Sequence, residues 1–493
     1  MKVCLINAPY EGSVAGIWSD VFPPLTVLSL AAYLWRERPD VEISVVDGLR
    51  IGFRRALRRA VEIDADIYSV SFITFNATTA YRLIDAIKAQ RPGTRVIAGG
   101  SHVTSLEHDA FERSNVDLCV HGEGEVTLVE LLDALEGGGD LSKVRGILYR
   151  NGKRIVRTSN RPLCEDINSL PFPARDLVNM ADYSGVYIAR NLPNTHILSG
   201  RGCVNHCLFC ARRVWKRQAP TIRLRSPENI VAEIRELRDR YGIREFFDMG
   251  DEFNSSEKWA VRTATAIADA DLRMSWQAFS RATPVTDDMA RAMAESGCWL
   301  VHLGIESGNN RTLKGIRKNI TTEIAQEAAA TYQRHGIKVV GLFMLFHAWE
   351  ENGDLQFEGV RESRQTLAFA RSMLKKKLVN SITCSPAMSY PGSHLYDVAL
   401  RHNLIPPERF NDWGDWDHSW GSVMEFPGVS NADRWKVKLS GVWTQSWALL
   451  FSGHMNFSKA IWSRGLGVLR MMAGAVAEKI PGLAGSGRKR ITP

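Results

Sequence analysis

The chain of 493 residues is long enough for about two to four domains, each with its own core. Hydrophobic residues make up 45% and charged residues 24%, a globular balance that excludes wholesale disorder. The net charge is +8, but seven Lys and Arg against one acid, Glu478, place +6 of it between Lys459 and Arg490; the nearly neutral remainder excludes a general nucleic-acid binder.

The N-terminus, Met1-Lys2-Val3-Cys4-Leu5-Ile6-Asn7-Ala8-Pro9, is too short an apolar stretch for a secretory signal and reads as a first strand. No uninterrupted apolar run approaches the roughly 18 residues of a spanning helix, and Arg470 breaks the stretch from Leu466 to Ala477. The expectation is a cytoplasmic protein with at most weak peripheral membrane contact. From residue 3 to about 135, apolar runs alternate with helical periodicity. Strands are expected at Val3–Ala8, Val41–Val46, Ile67–Phe72, Arg95–Ala98 and Leu118–Val120, with helices from Leu25, Phe53, Ala77 and Glu125. Continuous apolar strands linked by helices imply a doubly wound, Rossmann-like parallel sheet over residues 1–145, with ligands outside the strand C-termini. Residues 146–157 form a hairpin around Asn151-Gly152, and the proline-rich stretch from Leu170 to Asp176 completes a hairpin-and-linker segment to residue 188.

A second β/α series over 189–395 has strands near Thr195–Leu198, Glu245–Phe247, Ser275–Ala278, Leu300–Leu303, Val339–Leu342 and Ser381–Thr383. Six such strands predict a full or partial TIM-type barrel with its chemistry at the strand C-termini. Residues 396–493 form a mostly helical extension. Within it Trp413, Trp416 and Trp420 are expected on the barrel rim, and Phe457 to Ala477 is expected as an amphipathic helix.

Five of the eight cysteines are scattered, which excludes a disulfide framework. The other three follow the first barrel strand in Arg201-Gly202-Cys203-Val204-Asn205-His206-Cys207-Leu208-Phe209-Cys210. The C-x3-C-x2-C spacing puts three thiolates on one short loop, which suits three corners of a 4Fe-4S cluster and leaves one iron open. A zinc knuckle completed by His206 or a distant ligand is the alternative. This triplet, with an aromatic residue before its last Cys, resembles the signature of the radical S-adenosylmethionine (SAM) enzymes. The resemblance implies that Cys203, Cys207 and Cys210 bind the cluster and that Phe209 packs near the SAM adenine. It further places Asp251 or Glu252 near the SAM ammonium, Arg281 near its carboxylate, and Glu306 near its ribose hydroxyls or amine. A surface arginine is the alternative for Arg281. The usual Gly-x-Pro-Gly turn after the fifth strand is replaced by Met344-Leu345-Phe346-His347-Ala348-Trp349-Glu350, which makes His347 and Trp349 candidates to face substrate.

No Gly-x-Gly-x-x-Gly follows the first strand, which disfavours a dinucleotide. The loops carrying Asp47 and Gly48, Ser71 and Thr74, Gly99, Gly100 and Thr104, and Glu123 and Gly124 instead look like those of cobalamin-binding domains. Glycines permit close backbone approach and hydroxyls can bond a polar cofactor arm. Where familiar cobalamin proteins carry a cobalt-ligating His, the first loop reads Asn7-Ala8-Pro9-Tyr10-Glu11-Gly12, so no lower ligand is expected there. Together these features resemble the cobalamin-dependent radical SAM enzymes. The resemblance implies a 4Fe-4S cluster, SAM and cobalamin as cofactors, and a small-molecule substrate methylated at an unactivated carbon. It also implies an external flavodoxin- or ferredoxin-like electron donor. An oxidative cyclase of the anaerobic magnesium-protoporphyrin ester type and a non-catalytic cobalamin or iron–sulfur carrier are the alternatives. No general base is assigned.

Overall fold

A computed structural model of the chain describes residues 1–11, 22–183, 188–211, 221–417 and 422–451. Trp420, the basic segment from Lys459 to Arg490 and the expected helix from Phe457 to Ala477 lie outside the described residues.

The first sheet contains β1 (Lys2–Asn7), β2 (Glu42–Asp47), β3 (Ile67–Ser71), β4 (Arg95–Gly99), β5 (Leu118–Val120), β6 (Ile147–Asn151) and β7 (Arg154–Arg157), in the order β2-β1-β3-β4-β5-β6-β7. The first five strands are parallel, as expected. Both faces are buried because residues alternate across a strand. Val3 and Leu5 of β1 pack with Val27, Ala31 and Leu131 of the helices Leu25–Glu37 and Glu125–Glu136. Cys4 and Ile6 belong to the opposite core, with Ala56, Ala60, Leu83 and Ile84 of the helices Phe53–Ile63 and Ala77–Gln90. One expectation is corrected: the hairpin is not a separate segment. Its strands add antiparallel to β5, making the sheet mixed and carrying the first unit past residue 145 to Arg157. The antiparallel register gives the hairpin's backbone donors and acceptors partners on β5, which a free-standing hairpin would leave to water.

The second sheet follows β8 (Asn194–Ile197), β9 (Gly200–Gly202) and β10 (Ile222–Leu224) with β11 (Glu245–Asp248), β12 (Ser275–Arg281), β13 (Cys298–Glu306), β14 (Lys338–Leu345), β15 (Ala348–Glu351), β16 (Asp354–Phe357) and β17 (Ser381–Pro386). Six of these form a parallel open sheet, β17-β14-β13-β12-β11-β8, a partial barrel; β9–β10 and β15–β16 are small antiparallel hairpins beside it. Ser226, Ser256, Thr286 and Thr321 start four outer helices, each accepting from an amide in the first turn, so the helix entries are set by local sequence.

A buried ion network ties the linker to the barrel. The Arg175 guanidinium donates to Glu233 Oε1 at 2.7 Å, and Arg225 donates to the other carboxylate oxygen. Burial would raise the Glu233 carboxyl, but the two guanidiniums outweigh it and hold the group below its ordinary value.

A second correction concerns the tryptophans. Trp413 is buried on the first unit, not on the barrel rim: its amide donates to Thr78 Oγ1 at 2.9 Å, and its indole N–H donates to Asp109 Oδ2 at 2.8 Å. Trp416 packs beside Trp413 and Phe410. A buried indole needs an acceptor, and Asp109 supplies one on the first unit. The helix Asn431–Phe451 runs along β17 and the helix Val360–Lys375. Among the described residues, no helix is long and apolar enough to cross a membrane.

Glu233→Ala leaves two buried guanidiniums without their carboxylate and should cost about 3–5 kcal/mol. Differential scanning calorimetry of the variant should show a clearly lower thermal midpoint than that of the parent chain. Because the carboxyl is held low in the folded state, its stabilisation is present above the unfolded value and fades as pH falls through the folded one.

Candidate active site between the two sheets

The cysteine loop leaves β9 through Gly202, whose φ of +98° suits glycine and whose hypothetical Cβ would lie 2.2 Å from the Thr221 carbonyl. The loop is then pinned on both sides. Leu208 N donates to Ile316 O, and Leu208 O accepts from Leu395 N, each at 2.9 Å. Cys203 is buried, Cys207 and Cys210 are half-buried, and none of the three is in a disulfide. Cys203 Sγ accepts from the Asn205 amide at 3.3 Å and from its side-chain Nδ2 at 3.4 Å. Cys207 Sγ accepts from Arg281 Nη1 at 3.4 Å. These donors orient the two sulfurs within the loop. Among the described residues no three His, Cys, Asp or Glu side chains are gathered around a single-ion site.

The neighbouring acids after β11 face different ways. Glu252 is buried against the cysteine loop, with both oxygens 3.2 Å from Asn205 Nδ2 and one 3.6 Å from Arg281 Nε. Asp251 instead accepts from Gly202 N at 2.8 Å and lines a cavity on the far side of the loop. Arg281 is buried, and its Nη2 donates to Lys318 O at 2.6 Å, which overturns the surface-arginine alternative.

Glu306 ends β13 with a φ of +71°, where the β13–β14 register shifts, and accepts from the buried Lys318 Nζ at 2.7 Å. That ammonium lies 5.9 Å from the centre of the Phe209 ring. Cys207, Arg281, Glu252, Lys318, Glu306 and Phe209 therefore form one contiguous wall. Trp349 is drawn away from any substrate: its indole covers Gly315, where a Cβ would come within 2.3 Å. His347 is buried 5.8 Å from the Phe209 ring, and burial holds its imidazole neutral by lowering its pKa to about 3.

A cavity of about 390 Å³ lies between the C-terminal edges of the two sheets. Ser71, Gly99, Gly100, Glu123 and Gly124 line it from the first sheet, and Arg201, Arg223, Met249 and Asp251 line it from the second. At Gly100, φ is +106° and a Cβ would lie 2.2 Å from Phe72 O, so only glycine keeps the loop open there. Leu25, Leu30, Ile97 and Val120 add an apolar side to the cavity, so glycine backbone and serine hydroxyls face a largely apolar wall, a lining that suits a large cofactor with a polar arm.

Four residues expected in the same site do not line the cavity. Asp47 is buried, accepting from Asn7 Nδ2 at 2.7 Å and Tyr183 OH at 3.1 Å, and Gly48 packs against Asn7 O. Thr74 pairs with His102, while Thr104 donates to Gly100 O at 2.9 Å and accepts from Gly122 N at 3.1 Å. They shape the loops from behind. Sequence reasoning missed Asn205, Lys318, Arg201 and Arg223 as site residues. Asn205 and Arg201 lie inside the quoted cysteine stretch, but nothing local marks their contacts.

Glu358 lies directly behind the β13 turn. Its Oε1 accepts from Ser307 Oγ at 2.9 Å and Thr366 Oγ1 at 3.0 Å, and burial pushes its carboxyl up to about 7.

Two family models match the chain: the Radical SAM superfamily over residues 197–353 and the B12 binding domain over 18–132. An uncharacterised methyltransferase of Pyrococcus horikoshii is 30% identical over 408 residues, which cover 82% of this chain and 84% of that one. An anaerobic magnesium-protoporphyrin IX monomethyl ester cyclase of Synechocystis is 26% identical over 68% of this chain and 67% of its own. In fold, the chain matches the cobalamin-dependent SAM radical enzyme OxsB, solved with aqua-cobalamin and SAM, at a TM-score of 0.70 and 18% identity. That match covers 90% of this chain and 66% of OxsB, just under two thirds. The chain belongs to the cobalamin-dependent radical SAM enzymes, whose cofactors are a 4Fe-4S cluster, SAM and cobalamin.

The raised carboxyl of Glu358 gives a pH dependence of definite sign. Its ordinary value is 4.5 and its folded value about 7, so the folded state holds the proton more tightly than the unfolded state between them. Its cost to stability therefore grows as pH rises across that window, to about 3 kcal/mol above it at ~1.4 kcal/mol per unit. Thermal midpoints of Glu358→Gln and the parent between pH 5 and 8 should diverge, with the variant gaining as pH rises.

Proposed function

We propose that this enzyme is a C-methyltransferase acting on a small molecule. The observation that carries this reading is the shared wall at Gly202 and Asp251: the amide before the first cluster cysteine is bound by a carboxylate that lines the inter-sheet cavity. Two cofactor sites on adjoining faces of one loop suit a reaction that needs both. When bound, the cluster supplies the electron that cleaves SAM to a 5′-deoxyadenosyl radical, and cobalamin supplies the methyl group received by an unactivated carbon.

In this reading Cys203, Cys207 and Cys210 hold three irons and leave the fourth to SAM. Glu252, buried and already beside a guanidinium, accepts from the SAM ammonium, and Arg281 bonds its carboxylate. Glu306, oriented by Lys318, accepts from ribose hydroxyls, and Phe209 packs beside the adenine. Asp251 fixes Gly202 and faces the second cofactor. Ser71, Gly99, Gly100 and Gly124 hold the cobalamin arm, with Glu123 at its edge, while Asp47, Gly48, Thr74 and Thr104 brace those loops. Residues 1–157 thus form the cobalamin unit, 189–395 the radical SAM barrel, and the segment from 396 closes it against the first unit. The buried walls exclude water from the reacting carbon. A flavodoxin- or ferredoxin-like protein in the cytoplasm donates the electron. The Synechocystis relative keeps oxidative cyclisation as the second reading.

Anaerobic incubation of the reconstituted protein with cobalamin, SAM and a strong reductant tests this. 5′-Deoxyadenosine should form, disappear in Cys203→Ala, and accompany a substrate mass gain of one CH2 unit. Oxygen gain or hydrogen loss without that unit would move the assignment to the cyclase type; no 5′-deoxyadenosine from a fully loaded protein would leave a carrier.

The first-sheet loop Ala8-Pro9-Tyr10 offers no imidazole, and the Tyr10 hydroxyl donates to Asp417 Oδ2 at 2.6 Å. Cobalamin is therefore expected base-off and His-off. Its cob(II)alamin EPR spectrum should lack the nitrogen splitting of an axial imidazole; observing that splitting would refute the assignment.

A further inference from the structure

Four charged side chains of the cavity wall are joined in one cluster, and of these only Glu123 is among the expected cofactor contacts. Arg201, two residues before Cys203, donates to Glu125 Oε1 at 2.6 Å and to Glu123 Oε1 at 3.1 Å. Arg223, the register partner of Arg201 across β9–β10, pairs with the same Glu123 oxygen at 2.8 Å. Glu123 also accepts from Cys164 N at 2.9 Å, and Arg223 donates to Cys164 O at 2.8 Å. One ionic cluster thus grips the loop after β5, the interdomain linker and the hairpin that launches the cysteine loop.

We propose that Arg201, Arg223, Glu123 and Glu125 act together as positioning residues that set the separation and orientation between the cobalamin loops and the iron–sulfur loop. The inference rests on the two-cofactor reading above. An Arg fork shared between two carboxylates has a narrow geometric optimum, and the side chains are mostly withdrawn from water, with Arg223 at 4% and both glutamates at 10% exposure. Sliding one sheet edge along the other would break several charge-assisted bonds together, with Arg201, at 25% exposure, the member most open to water. The cluster sits where such a constraint is effective. Arg201 reaches Cys203 through Gly202, whose own amide is held by Asp251, and Glu123 lies between Gly122 and Gly124 of the cavity floor. Radical transfer to a carbon held between two cofactors demands a fixed gap, because small displacements sharply reduce the productive geometry.

The test compares the parent chain with Arg201→Met and Glu125→Gln, at equal iron and cobalamin content. Pulsed EPR on the protein carrying cob(II)alamin and the one-electron-reduced cluster reads the dipolar coupling between the two spins. The parent should give one sharp distance. Arg201→Met should give a broadened, shifted distribution, and Glu125→Gln, which keeps its shape but loses its charge, a smaller change of the same kind. Arg201→Lys keeps the charge without the fork and should restore the distance only in part. An unchanged, sharp distance in both Arg201→Met and Glu125→Gln overturns this inference alone. If the parent fails to retain cobalamin or cluster, the functional reading falls and takes the inference with it. Should Arg201→Met not fold, the near-isosteric Glu125→Gln decides the matter by itself.

Discussion

The parallel strands of two sheets meet at their C-terminal edges, and the meeting is held by charges largely taken out of water. Moving a guanidinium or carboxylate into a protein interior costs several kcal/mol per ion even after relaxation. Arg201, Arg223, Glu123 and Glu125 recover that cost only because every group has partners within hydrogen-bond reach. Burial pushes the Glu125 carboxyl upward, yet Arg201, a backbone hydrogen bond and Arg223 together outweigh it and the net displacement is downward. The cavity, the cysteine loop and the linker therefore share one anchor.

The same rule sorts the other buried polar groups. Glu233 lies between Arg175 and Arg225 and is held ionised; Glu306 lies against Lys318 at 2.7 Å. Glu358 has only hydroxyl and amide donors and is pushed toward neutrality, and His196 and His347, both buried, fall to about 3 and lose their charge. Between Glu233 on one side and Glu358, His196 and His347 on the other, the difference is the facing guanidiniums, which outweigh burial only at Glu233. Along the cysteine loop Glu252 and Arg281 lie 3.6 Å apart, a carboxylate and a guanidinium side by side on one buried wall.

Much of this was legible before any coordinates. The alternation of Val3, Leu5 and Cys4, Ile6 announces a strand buried on both faces, and the Cys203, Cys207, Cys210 spacing announces a cluster loop, because both are local patterns. Asp47 and Thr74 lie in loops at strand ends, which read as ligand-facing; whether such a side chain turns outward depends on Asn7 and Tyr183, or on His102. Trp413 was assigned to the wrong neighbour since burial says nothing about which surface does the burying. The partner atoms of Arg201 lie 76 and 78 residues away, and that of Arg223 100 residues away, beyond any periodicity.

Composition, strand and helix periods and the cysteine triplet thus specify a doubly wound sheet, a parallel barrel segment and a three-cysteine loop at its first strand, since each is written in residues close along the chain. The division of labour within that loop was decided elsewhere. Asp251 and Glu252 are chemically near-equivalent in sequence. Glu252 has an extended backbone, φ −167° and ψ 127°, in which successive side chains leave on opposite sides. One acid therefore faces the cavity and the other the cysteines, an outcome that only the path of β11 between its neighbours could set.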